Sequence, residues 1–184
     1  MLCPMNENTF WELIAECTPQ PPDPDAEQLA ATLTARLSDG PITVVTGFAE
    51  QLSWALYRLD REEYCGDLSG DPFLYTRAAV VAAGRAAHEA VLHDPSNFAP
   101  YAAGLIWAES LLYVPDRAYL HLTGEEWQRE TRYSYETGSN AEGWAAAWTA
   151  GPPGVPTRRT PGPPHGRVDR PRAGRTSPGP PPPG

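Results

Sequence analysis

The residues of this chain that could do chemistry are an arginine in an apolar run, scattered carboxylates, two closely spaced histidines and three cysteines. Arg77 lies within Asp71–His93, DPFLYTRAAVVAAGRAAHEAVLH, where most positions are apolar or small. A guanidinium keeps its charge, so burial would require a carboxylate or several carbonyls around it. Glu109, set in the apolar stretch Gly104–Val114, is the natural partner. Such a pair can fix the register of two helices, or it can hold or act on a ligand; simple exposure of Arg77 is the third reading. His88 and His93 resemble a zinc-protease H-E-x-x-H with one residue too many. On a helix that spacing sets them about 140° apart, against about 40° for i, i+4, so one straight helix cannot offer both to one metal. His121 brings no second ligand pair. Ser53, Ser69 and Ser110 lack a G-x-S-x-G elbow, and the paired glutamates Glu62-Glu63 and Glu125-Glu126 read as solvated faces. There is no lysine, which excludes Schiff-base and P-loop lysine chemistry, and no glycine-rich phosphate loop. The expectation is no metal and no cofactor.

The element that must position Arg77 is the stretch around it. Asp71-Pro72 reads as a helix start and Asp94-Pro95 as its end. Being apolar on all sides, residues 71–93 are expected to form one buried central helix, about 33 Å long. Thr9-Phe10-Trp11-Glu12 is a capping box opening a short helix that stops at Pro19. Asp23-Pro24 opens a second helix with Leu29, Leu33 and Leu37 on one face. Ile42–Leu59 has helical spacing throughout, although its first residues are β-branched. Arg61–Gly70 reads as a charged loop, Pro100–Val114 as a fifth helix and Pro115 to Gly124 as a sixth. Leu105, Trp107, Leu111, Leu112 and Tyr119 are expected to supply core bulk. Glu125–Trp144 should start helical and become an aromatic-rich loop packed on the domain.

Together these elements predict an all-α domain of five to seven helices over residues 9–149, with a flexible N-terminus over 1–8. Residues 151–184 hold 12 prolines, 7 glycines and 6 arginines, too few apolar side chains to offset ordering entropy. A disordered tail from residue 150 is therefore expected. Its composition is also what GC-rich DNA yields when read in a shifted frame.

Charge divides the chain at the same point. Residues 1–150 carry 8 arginines against 22 Asp and Glu, a net −14. Phosphate-backbone binding needs a basic surface, so no nucleic-acid partner is expected. The cysteines Cys3, Cys17 and Cys65 are odd in number and have no C-x-x-C spacing, the pattern of reduced thiols. No basic-then-apolar leader opens the chain, and no apolar run reaches the ~18 residues of a membrane helix. The expectation is a soluble cytoplasmic protein without a membrane partner.

Three blocks in order carry a family likeness: Phe10-Trp11 with Leu13-Ile14; Ser69, Asp71, Phe73, Arg77, Gly84 and Arg85; and Glu109, Tyr113, Val114, Ala118, Tyr119, Thr123 and Gly124. Over residues 9–124 the chain resembles the bacterial family catalogued as domain of unknown function 4240. In that family the second block carries an Asp pair, of which Gly70 replaces the first member. The resemblance implies shared fold and kinship and brings no mechanism with it.

Two functions compete. The first is a non-enzymatic helical module that binds or regulates another protein, through the aromatic-acidic stretch Trp127–Tyr135. The second is a small-molecule binder or enzyme with a pocket at the start of the central helix, lined by Asp71, Arg77, Glu109, Tyr113 and Tyr119. Ser69 and Arg85 complete the candidate polar cluster. Convergent Arg and carboxylate groups in an open pocket would favour the second, and a solid core there the first.

Overall fold

The computed structural model describes residues 5–19, 25–128 and 130–145. Within them the secondary structure is helical, with nine α-helices and no strand among the described residues. The tail expected from residue 150 lies outside the described residues, as do Cys3 and the Asp23-Pro24 helix start.

The first three helices form largely where start and stop residues and apolar periodicity place them. Helix α1 is Glu7–Cys17, α2 is Ala26–Ser38 and α3 is Ile42–Arg58. They bury Phe10, Trp11 and Ile14, then Leu29, Leu33 and Leu37, then Val45, Phe48, Leu52 and Leu56. The β-branched opening of α3 yields to the longer helical period. Two starts differ from expectation. Asn6, not Thr9, caps α1, its Oδ1 accepting from the Thr9 N–H at 2.9 Å. An asparagine three residues upstream is as good a cap, and Thr9 then supplies the N–H that the cap captures. Met5 packs on the core and its carbonyl accepts from Gln51 at 3.1 Å, so the loose end does not reach residue 8. Asp25 caps α2, accepting from Glu27 N–H at 2.8 Å.

The expected charged loop holds one helical turn, α4 Glu62–Cys65. The single central helix over 71–93 is two helices, α5 Gly70–Ala82 and α6 Arg85–His93, and Ser69 takes the cap position in place of Asp71. The break is at Gly84, with φ 93° and ψ 178°, a region open essentially to glycine alone. Only α5 is buried on all sides, with Phe73, Leu74 and the run Thr76–Val81 inside. Arg85, Glu89 and His93 lie on the exposed face of α6. The run therefore joins a buried helix to an amphipathic one, and its mean hydropathy hides the joint. Gly84→Ala is expected to cost about 1–3 kcal/mol, since alanine must hold a strained backbone or move α6. An unchanged thermal midpoint would show that the joint tolerates a side chain.

Beyond α6, a 3₁₀ turn Pro95–Phe98 leads into α7 Ala99–Ala103. The expected fifth helix is interrupted over 104–108 and resumes as α8 Glu109–Leu112. Helix α9 is Val114–Thr123, with Pro115 in its first turn and Gly124 left-handed at its end. Helix α5 packs against α3 and α8, and α9 lies on α2 and α3. Residues 125–128 and 130–144 are irregular, so the helical start expected after Gly124 does not form. The aromatic side chains there do pack: Trp127 sets edge-on against Tyr119, and Tyr133 lies 4.5 Å from Trp54.

Candidate functional site

Arg77 is fully buried, as the pairing argument required, but its ion partner is Asp60 and not Glu109. The guanidinium donates to the Leu56 carbonyl at 3.0 Å, to the Tyr135 carbonyl at 2.9 Å and to Thr137 Oγ1 at 3.2 Å. The Phe73 ring stacks beneath it at 4.7 Å. Asp60 Oδ1 stands 3.9 Å from an Arg77 nitrogen, an ion pair without a direct hydrogen bond. The carboxylate oxygens are occupied from the other side. Oδ1 accepts from Gly138 N–H at 3.0 Å and Trp144 Nε1 at 2.9 Å. Oδ2 accepts from Asn140 N–H at 2.9 Å and Ser139 Oγ at 3.2 Å. Burial pulls the Arg77 pKa down to about 10 while Asp60 works against that shift, so the group stays charged at neutral pH. This is a sealed hub that staples residues 135–144 onto α3 and α5.

Glu109 sits elsewhere because the helix expected around it does not form. In the first turn of the four-residue α8 it is exposed and accepts from Tyr113 Oη at 2.7 Å. That bond raises the Tyr113 pKa, and Tyr75 is raised first by burial and then by the charges of Glu109 and Asp71. Asp71, Glu109 and Tyr113 thus share one neighbourhood, centred on a Tyr75 that the sequence reading missed. The other candidates scatter: Ser69 caps α5, Arg85 pairs with Glu89 at 2.6 Å and reaches Asn8, and Tyr119 is buried beside Trp127.

Next to that neighbourhood the chain exposes apolar bulk. Leu105, Ile106 and Trp107 are 60%, 49% and 48% exposed, so Leu105 and Trp107 do not fill the core, whereas Leu111, Leu112 and Tyr119 do. Leu105 has φ 47°, a left-handed backbone that leucine adopts at a cost. The segment is nonetheless tied at both ends: Ile106 N–H donates to the Tyr101 carbonyl and Ala108 N–H to the Tyr75 carbonyl. Trp107 stands edge-on to Tyr75 at 6.1 Å. Behind it lies an open groove of about 710 Å³ whose lining includes Ala79, Ala82, Ala83, Tyr101, Glu27 and Glu109. A second cleft, of about 450 Å³, is edged by Asp116, Glu130 and Glu136 under the 127–136 segment. Trp127, Tyr133 and Tyr135 are half-buried, so that segment is a packed cover and not the open contact surface expected of it.

His88 is buried, and its Nε2 donates to the Ala55 carbonyl at 3.0 Å, because a carbonyl can only accept. Nδ1 has no partner among the described residues, which suits its lone pair and not a proton. Burial lowers the His88 pKa, outweighing the bond to Ala55. The unfolded chain then takes up the proton first as pH falls below ~6.5. Stability is expected to be complete above about pH 6.5 and to decline below it, toward the folded pKa. Thermal melts of the parent and of His88→Gln across that range check this; an equal decline in both would assign it to other groups.

His93 is exposed at the end of α6, apart from His88, and no cluster of three metal-ligating side chains occurs among the described residues. Cys17 and Cys65 are unpaired, and burial raises both thiols. No described helix is long and apolar enough to cross a membrane.

Asp60, Thr137, Asn140 and Trp144 were the residues the sequence did not single out. Asp60 is one carboxylate among 22 in residues 1–150, and nothing in its spacing marks it. Searches among curated proteins and solved structures find no match. The profile of one family, described as a protein of unknown function (DUF4240), does match, over residues 5–121, a span that holds α1 to α8, most of α9, and both charges of the buried pair. On that match the chain belongs to the DUF4240 family.

Proposed function

We propose that this domain is a protein-binding module without catalytic activity, whose contact surface is the loop Leu105–Trp107 and the groove behind it. The observation that carries the reading is three consecutive large apolar side chains, each about half exposed or more, on backbone tied at both ends. Clustered exposed apolar surface marks interaction sites, and strained residues such as Leu105 concentrate where function requires them. The rival reading needed Arg77 and Glu109 to converge on an open pocket. Arg77 instead turns its Nη donors to carbonyls and Thr137 inside the hub, while Glu109 lies on the surface.

A photo-crosslinking side chain placed at Trp107 tests the reading in cells, with the exposed Glu12 position of α1 as control. The expected result is a discrete protein adduct at 107 that is missing at 12 and lost when Leu105→Ser is added. Equal adducts at both positions, or none at 107, would remove the basis for the proposal.

A further inference from the structure

Resting on that binding surface, we infer that the groove behind Trp107 takes a cationic segment of the partner, an arginine or lysine flanked by large apolar side chains. The floor is made of Ala79, Ala82 and Ala83 at the end of α5, small residues that leave the volume of about 710 Å³ unfilled. That space suits one or two bulky side chains lying against Trp107. The rim is acidic: Asp25, Glu27 and Glu109 line the groove, and no arginine or histidine does among its described lining residues. Two of these carboxylates are already held in place. Asp25 accepts from the Glu27 N–H at 2.8 Å and Glu109 from Tyr113 Oη at 2.7 Å, so an incoming cation meets fixed charges.

The aromatic groups point the same way. Arg117 already stands 5.6 Å over the ring of Tyr113, the residue that holds Glu109. Trp107, half exposed, offers a second and better face for a cation. The net −14 of residues 1–150 adds long-range attraction for a basic partner and repels an acidic one. An uncharged apolar segment would leave the negative charge of the rim uncompensated, and an acidic one would face it directly.

The test is selection of displayed random 12-residue peptides on the full chain, with counter-selection on Trp107→Ala. Enriched peptides should carry a net positive charge and large apolar residues. Their affinity should fall about tenfold in Glu27→Gln/Glu109→Gln at low salt, with much of that difference screened at 0.5 M salt. Circular dichroism and melting temperature, unchanged in both variants because all three sites are exposed, separate lost binding from lost folding. Enriched peptides that are neutral or acidic, yet still depend on Trp107, would overturn the charge inference and leave the binding module standing. No Trp107-dependent enrichment would overturn both. A dimer in sedimentation that dissociates in Trp107→Ala would make a second copy the occupant, and the cationic partner would be wrong.

Discussion

Replacing Asp60 with alanine is expected to destabilise the domain by about 3–5 kcal/mol and to lower its melting temperature by roughly 10–20 °C. The change leaves Arg77 charged and buried with its ion partner gone. It also takes the acceptor away from the N–H groups of Gly138 and Asn140 and from Trp144 Nε1, while the Ser139 hydroxyl keeps the Ser134 carbonyl. Groups left buried without partners cost more than the bonds were worth. Glu109→Gln, by contrast, touches an exposed group and should cost under about 0.5 kcal/mol. Thermal unfolding of the two variants side by side decides between the partners. Equal, small losses would mean that the Arg77–Asp60 pair does not hold the core.

A fragment limited to residues 5–121, the span of the family match, is expected to lose cooperative unfolding, while residues 5–145 keep it. The shorter fragment removes all four donors to Asp60, two acceptors of Arg77 and the Trp127 ring on Tyr119. At about 1 kcal/mol net per hydrogen bond, these six lost bonds alone amount to on the order of 6 kcal/mol. That is a large part of the 5–15 kcal/mol typical of a domain. Differential scanning calorimetry gives the answer directly. A sharp transition in the short fragment, within a few degrees of the full chain, would show that residues 122–145 are not needed to close the core. In the same series, ending the chain at Ala150 tests the expectation that the Pro/Gly/Arg tail adds nothing to stability.

Local features of this protein were legible in its sequence because they depend on neighbours along the chain. Apolar spacing at three and four residues places α2 and α3, and proline and glycine mark the limits of α9. The need to neutralise a buried arginine was also legible, since no environment removes its charge at moderate cost. Which carboxylate answers that need was not. Asp60 and Glu109 are both single acidic residues beside apolar runs, and only the packing of α3 against α5 puts one of them within 3.9 Å of Arg77. The joint at Gly84 escaped for a related reason. Glycine inside an apolar run costs a helix only about 1 kcal/mol, so its sequence signal is weak. The tertiary packing of α6, with His88 directed at Ala55, is what makes φ 93° the favoured backbone there. Trp107 shows the same limit from the outside. Its type and spacing are those of a core residue, yet its exposure is set by the break over 104–108, where bonds to Tyr101 and Tyr75 turn the chain outward. Helix type thus came from residue order; the identity of the charged pair, the closing segment and the exposed loop came from contacts between residues far apart in the chain, which no local pattern encodes.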